Sequence, residues 1–251
     1  MRAFAALVAA TLRQQLGGRR LILLLPLGLV PAGVFGVLLT NERTALGASQ
    51  AFHQAPLVIL FFMVIPVVSL IFGAGALGDE RRDATLSFIL LRPLPRSLIA
   101  GAKLLGAWLS AFAVAGTGAA VMSILLGARA GTWELVGSLL LAVALSCLAY
   151  VSVFLALGYL TARAVLVGLV YVFIWESGMT SAIPPLASVS LMRIGLSAYT
   201  GLTPLGHAYV EDVLGAVRPG PGGAVAKAAV VSVCAVATVT LLLRYRDITP
   251  S

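Results

Sequence analysis

GALGDERRDATLSFILLRPLPRSLIAGAKLLGAW, residues 75–108, places eight charged side chains in one short window of a chain that is only 10% charged and 60% hydrophobic. They are Asp79, Glu80, Arg81, Arg82, Asp83, Arg92, Arg96 and Lys103. Apolar runs flank the window on both sides, so its charges mark a point where the chain leaves an apolar medium and re-enters it. Within it, Asp83 is a suitable helix cap, Leu86, Ile89 and Leu90 form a stripe at helical spacing that Phe88 and Leu91 widen, and Pro93 and Pro95 stop the helix. Some eight helical residues rise only about 12 Å, too little to cross a bilayer. An apolar helix held at a membrane face by charged flanks must bury its stripe in lipid headgroups or in another protein.

The whole composition agrees. A mean hydropathy of +1.05 over 251 residues assigns the chain to the integral membrane class. The net charge of +8 does not imply nucleic acid, because the basic residues lie between apolar runs, where topology and anionic lipid account for them. Cys147 and Cys234 both lie inside apolar runs, which argues for packing rather than a disulfide or a metal pair.

A bilayer core takes about 20 apolar residues as helix. Six segments qualify, at about 21–40, 56–78, 102–127, 135–160, 164–182 and 224–243. Pro26, Pro31 and Pro66 fall within them and are tolerated where neighbouring helices satisfy the freed carbonyls. Before the first span, residues 1–18 read as a helix lying in the inner interface, with Phe4, Leu7, Val8 and Leu12 at helical spacing. The turn TARA at 161–164 is so short that spans four and five form an antiparallel hairpin. With both termini cytoplasmic, only Arg43, Arg129, Arg193, Arg218 and Lys227 of the seventeen basic residues fall outside, which orients the chain. The expectation is an all-α integral membrane protein, one domain over 1–251, with 79–101 a cytoplasmic segment and 183–223 on the outer side.

The charged window resembles a known signature. Glu80, then Asp83-Ala84-Thr85-Leu86, Leu90-Leu91-Arg92-Pro93, Pro95-Arg96 and Gly101-Ala102-Lys103 is similar to the E-x-x-x-G-T-L … L-L-x-x-P-x-x-R … G-K pattern of type-2 permeases of ATP-binding-cassette (ABC) exporters. Ala84 stands where that pattern has glycine, and Ala102 separates Gly101 from Lys103. The resemblance extends to an N-terminal interfacial helix, six spans, YVFIWE in the fifth and LLRYRD ending the sixth. It implies that the window is a coupling helix docking on an ATPase, with Glu80, Asp83, Thr85, Leu86, Ile89, Leu90, Arg92, Pro95, Arg96 and Lys103 as coupling residues. It also implies two copies of that ATPase, a second permease subunit, identical or different, alternating access, and export across the plasma membrane.

The residues themselves agree that ATP chemistry lies elsewhere. A phosphate-binding loop needs glycine amides and a lysine in G-x-x-x-x-G-K-[ST], and neither Lys103 nor Lys227 has that context. ATP and Mg2+ therefore belong to the partner, and this chain binds no cofactor of its own. Glu176 lies thirteen residues beyond Arg163, about 20 Å along a helix, in the outer half of the membrane. An acid at that depth is a pathway or gate candidate, with a helix-end role beside Tyr171 and Trp175 as the alternative. Residues 183–223 are too apolar for an ordinary loop and read either as half-membrane helices lining a cavity or as an outer amphipathic helix. His53 and His207 are expected outside, away from any acidic cluster, so no metal site is expected. An intramembrane hydrolase is the rival class, but DERR at 79–82 has no histidine at its depth and no span sets Ser or Cys beside a base. A gradient-driven transporter is disfavoured by the scarcity of charge within the spans.

Overall fold

Every described element is helical, which is how a chain satisfies its backbone polar groups inside the segment when lipid offers no hydrogen bonds. A computed structural model describes residues 2–17, 19–42, 44–83, 94–179, 190–203 and 220–245, without the side chains of 19, 176–179 and 245. The order is α1 (Arg2–Leu16), α2 (Arg19–Leu39), α3 (Ala45–His53), α4 (Ala55–Ile59), a π-helical segment π1 (Leu60–Val64), α5 (Ile65–Arg82), α6 (Arg96–Ala130), α7 (Glu134–Leu160), α8 (Ala164–Val170), π2 (Tyr171–Met179), α9 (Met192–Leu202) and α10 (Gly220–Tyr245).

Among the described residues five helices are long and apolar enough to cross a membrane: Arg20–Leu39, Ala45–Arg82, Arg96–Ala130, Glu134–Leu160 and Gly220–Arg244. Each contains or closely matches one of the expected spans. The expected span at 164–182 is described as far as Met179: α8 (Ala164–Val170) runs on into π2 (Tyr171–Met179), and residues 180–182 lie outside the described residues. The second expected span is much longer than hydropathy suggested. Thr44 caps α3 by accepting the Gly47 N–H at 3.0 Å, and Pro56 occupies the first turn of α4, where its missing N–H costs nothing. Pro66 cannot donate to the carbonyl four residues back, and the chain just before it widens into π1, whose last turn is closed by Ile65 N–H on Leu60 O. α6 ends where Gly131, at φ 74°, takes the left-handed conformation and donates to Gly127 O at 2.8 Å.

α5 and α7 form the central pair, with α6 packed on both. Their closeness depends on glycine: a Cβ at Gly158 would lie 2.3 Å from Ala74 O and 2.7 Å from Ala74 Cα. α2 meets α6 the same way, a Cβ at Gly118 falling 1.9 Å from Gly28 O. Small residues let helix backbones approach when lipid offers no hydrophobic gain for association. α1 lies along α6 and buries Val8, Thr11 and Gln15, with Thr11 seated at Gly106. Of the stripe expected to enter lipid, Val8 turns inward beside Thr11 and Gln15, polar residues that lipid would not accept, while Phe4, Leu7 and Leu12 are half-buried.

Candidate functional site at the charged end of the bundle

Asp79, Glu80, Arg81 and Arg82 form one turn at the end of α5, and successive side chains on a helix point about 100° apart. Four consecutive polar residues therefore cannot all face water when the helix is central. Asp79 accepts from Arg20 of α2 at 2.7 Å and also from Arg82 one turn on. Glu80 forms an ion pair with Lys103 of α6, both side chains being more than nine-tenths buried. Arg81 donates to Tyr159 O of α7 at 2.6 Å, its Cζ lying 5.7 Å from the Tyr159 ring centre. One turn thus ties α2, α6 and α7 to α5. α1 joins the same end through Gln15 Nε2, which donates to Phe72 O at 2.9 Å.

Of the residues assigned to coupling from the sequence, the structure brings Glu80 and Lys103 together. Asp83 is the C-cap of α5, its N–H donating to Asp79 O at 2.8 Å. Pro95 opens α6 by accepting the N–H groups of Leu98 and Ile99 at 3.0 and 3.3 Å, and Arg96 is the first residue of that helix. Thr85, Leu86, Ile89, Leu90 and Arg92 lie outside the described residues. So does the side chain of Glu176, whose backbone belongs to π2. Sequence reasoning missed Arg20 and Tyr159 as members of the cluster. Arg20 was findable, since an arginine and an aspartate at the same membrane face of adjacent spans are natural partners.

The groups of this cluster are cations, carboxylates and a backbone carbonyl in mutual contact, flanked by a cavity of about 160 Å³ beside Gly158 and one of about 510 Å³ lined by Gln14, Gly17, Arg20, Asp79, Arg82 and Asp83. The Glu80–Lys103 pair joins the two helices that the charged window connects, one residue on each side of it.

A second polar cluster occupies the other end. His53, expected in an outer loop, is buried: Nδ1 lies 2.7 Å from Ser49 O and Nε2 2.9 Å from the Tyr199 hydroxyl of α9. A carbonyl only accepts, so Nδ1 carries the hydrogen and Nε2 of the neutral ring accepts from Tyr199. Phe52 packs edge-on against Phe35 of α2 at 5.4 Å beside it. α9 buries eight of its eleven residues, chiefly against α7 and α10. Both ring nitrogens of His53 are thereby engaged within the fold.

A family model described as ABC-2 family transporter protein matches residues 18–195, a stretch that contains every member of the charged cluster except Gln15 of α1. No curated protein matches the chain.

Proposed function

Because the chain belongs to the ABC-2 family of transporter proteins, and is thus a multi-pass membrane transporter subunit rather than a catalyst, we propose that it is the permease half of an ABC exporter driven by a separate ATPase. The observation that carries this reading is the buried Glu80–Lys103 pair bracketing residues 81–102. It supports a segment at 83–91 that docks on the ATPase and moves α5 and α6 as one body. Two ATPase subunits, holding ATP and Mg2+, act beneath two permease subunits in the plasma membrane, with both termini cytoplasmic and six spans in each permease. Closure of the ATPases tilts the bundles and alternates access. Glu176, on the wide-turn segment π2, contributes to the outer gate of the pathway; π-helical turns concentrate at functional sites.

Co-purification of the ATPase with the permease tests the docking reading. Leu86→Asp or Leu90→Asp sets a carboxylate in an apolar contact and should cost at least the about 2 kcal/mol of an interface hot spot, so that the ATPase is lost. Arg96→Ala, at the half-buried start of α6, should weaken the complex by about 1 kcal/mol or less. An intact complex carrying both aspartates would show that the segment lies on lipid.

Glu176→Gln removes a charge with little change in shape. Transport should fall while assembly and basal ATP hydrolysis stay near wild type. Unchanged transport in reconstituted vesicles would remove Glu176 from the pathway.

A further inference from the structure

α10 is the least enclosed of the five long helices, only 17% of its apolar window being buried. Along its flank runs a groove of about 550 Å³ against α6, floored by Leu104 and walled by Val233, Ala237 and Leu241. The two α10 hydroxyls in it are engaged within the fold, Ser232 with Ala228 O at 2.8 Å and with the Ser152 hydroxyl of α7 at 3.0 Å, and Thr240 with Val236 O at 2.6 Å. The groove is therefore apolar along its length and polar only at one end, where Arg244 and Ser97 of the first turn of α6 stand exposed. From Ser232 to Arg244 is about 18 Å of helix, close to the half-thickness of a bilayer core of about 30 Å.

We infer that this groove holds one anionic phospholipid of the leaflet at the charged end, its acyl chain along Leu104, Val233 and Leu241 and its phosphate at Arg244 and Ser97. Three features select this occupant. The length fits one leaflet, the walls are mostly apolar with their two hydroxyls already engaged, and the single cation stands where a headgroup phosphate would be. Arg244 forms no ion pair among the described residues, so a lipid phosphate meets it without displacing a carboxylate. A basic residue near an anionic surface contributes about 1 kcal/mol, or roughly a fivefold preference.

The test is native mass spectrometry of the purified full-length chain in non-ionic detergent, with phosphatidylglycerol or phosphatidylcholine of identical acyl chains added. The expected result is one retained lipid, phosphatidylglycerol being favoured about fivefold. Arg244→Gln should lower phosphatidylglycerol to the level of phosphatidylcholine, and Ala237→Trp, which fills the groove, should release both. Should Ala237→Trp fail to fold, Val233→Phe on the exposed wall replaces it. Equal retention of the two lipids by the wild-type chain overturns the headgroup assignment, and retention unchanged in the groove-filling variant overturns the site. A chain dimer that Ala237→Trp splits, with lipid retention unaltered, would make the occupant a second copy instead.

Discussion

Lys103→Met should destabilise the protein by about 3–5 kcal/mol, the range for removing one partner of a buried ion pair. The Lys103 and Glu80 side chains are 4% and 8% exposed, so loss of the ammonium leaves its carboxylate partner in a medium that penalises charge heavily. Glu80→Met should cost a comparable amount, for the same reason with the sign of the charge reversed. The double variant Glu80→Met/Lys103→Met should return to near wild-type stability or above it, because well-packed apolar side chains often equal a buried pair. Arg82→Ala supplies the contrast: its side chain is 62% exposed, and loss of its contact with Asp79 should cost about 0–1 kcal/mol. Unfolding in detergent, followed by tryptophan fluorescence, gives all four values. Single-variant losses that simply add in the double would show that the two residues do not act as a pair. The double variant also separates two roles: if it is stable but transport by the proposed complex with an ATPase is lost, the pair transmits movement as well as holding the helices.

Gly158→Val should cost about 3 kcal/mol, the upper end of the usual range for overpacking. The new Cβ would meet Ala74 O at 2.3 Å and Ala74 Cα at 2.7 Å, and neither is a flexible side-chain end that could swing away. α5 and α7 must therefore separate along their central contact. Ala74→Gly should not rescue the variant, since the obstructing atoms are main chain. Rescue by Ala74→Gly would sink this account of the interface. The same separation displaces Tyr159, the next residue, whose carbonyl accepts from Arg81 at 2.6 Å. Gly158→Val should thus disturb the charged end as well as the packing, and unfolding midpoints with coupled transport measured on the same preparation would show both.

Most of the architecture was legible because crossing a membrane is a local requirement. About 20 apolar residues in succession suffice, and α2, α5, α6, α7 and α10 all announce themselves that way. The fifth expected segment, 164–182, was legible as an apolar run, but such a run does not report where a helix turns into a π-helix, as this one does at Tyr171. α3 was not among the expected spans, since Gln50 and His53 make it polar. Its helicity depends on burial of Phe52 and on His53 reaching Tyr199, 146 residues away, a partner no window contains.

The charged end divides in the same way. That residues 79–103 carry acids and bases between two spans was evident from the sequence, as was the family pattern around Glu80 and Lys103. Which acid meets which base was not, because pairing depends on how each helix is rotated about its axis and how closely it approaches its neighbours. Rotation and approach are set by glycine contacts such as Gly158 on Ala74 and Gly118 on Gly28, which bring together backbones distant in the chain. By itself the sequence determined an integral membrane helical protein, since hydropathy is summed over neighbours along the chain. Only the tertiary structure decided that Asp79 binds Arg20, that Glu80 binds Lys103 and that α9 buries against α7, because those contacts depend on interlocking surfaces whose matching parts lie on different helices.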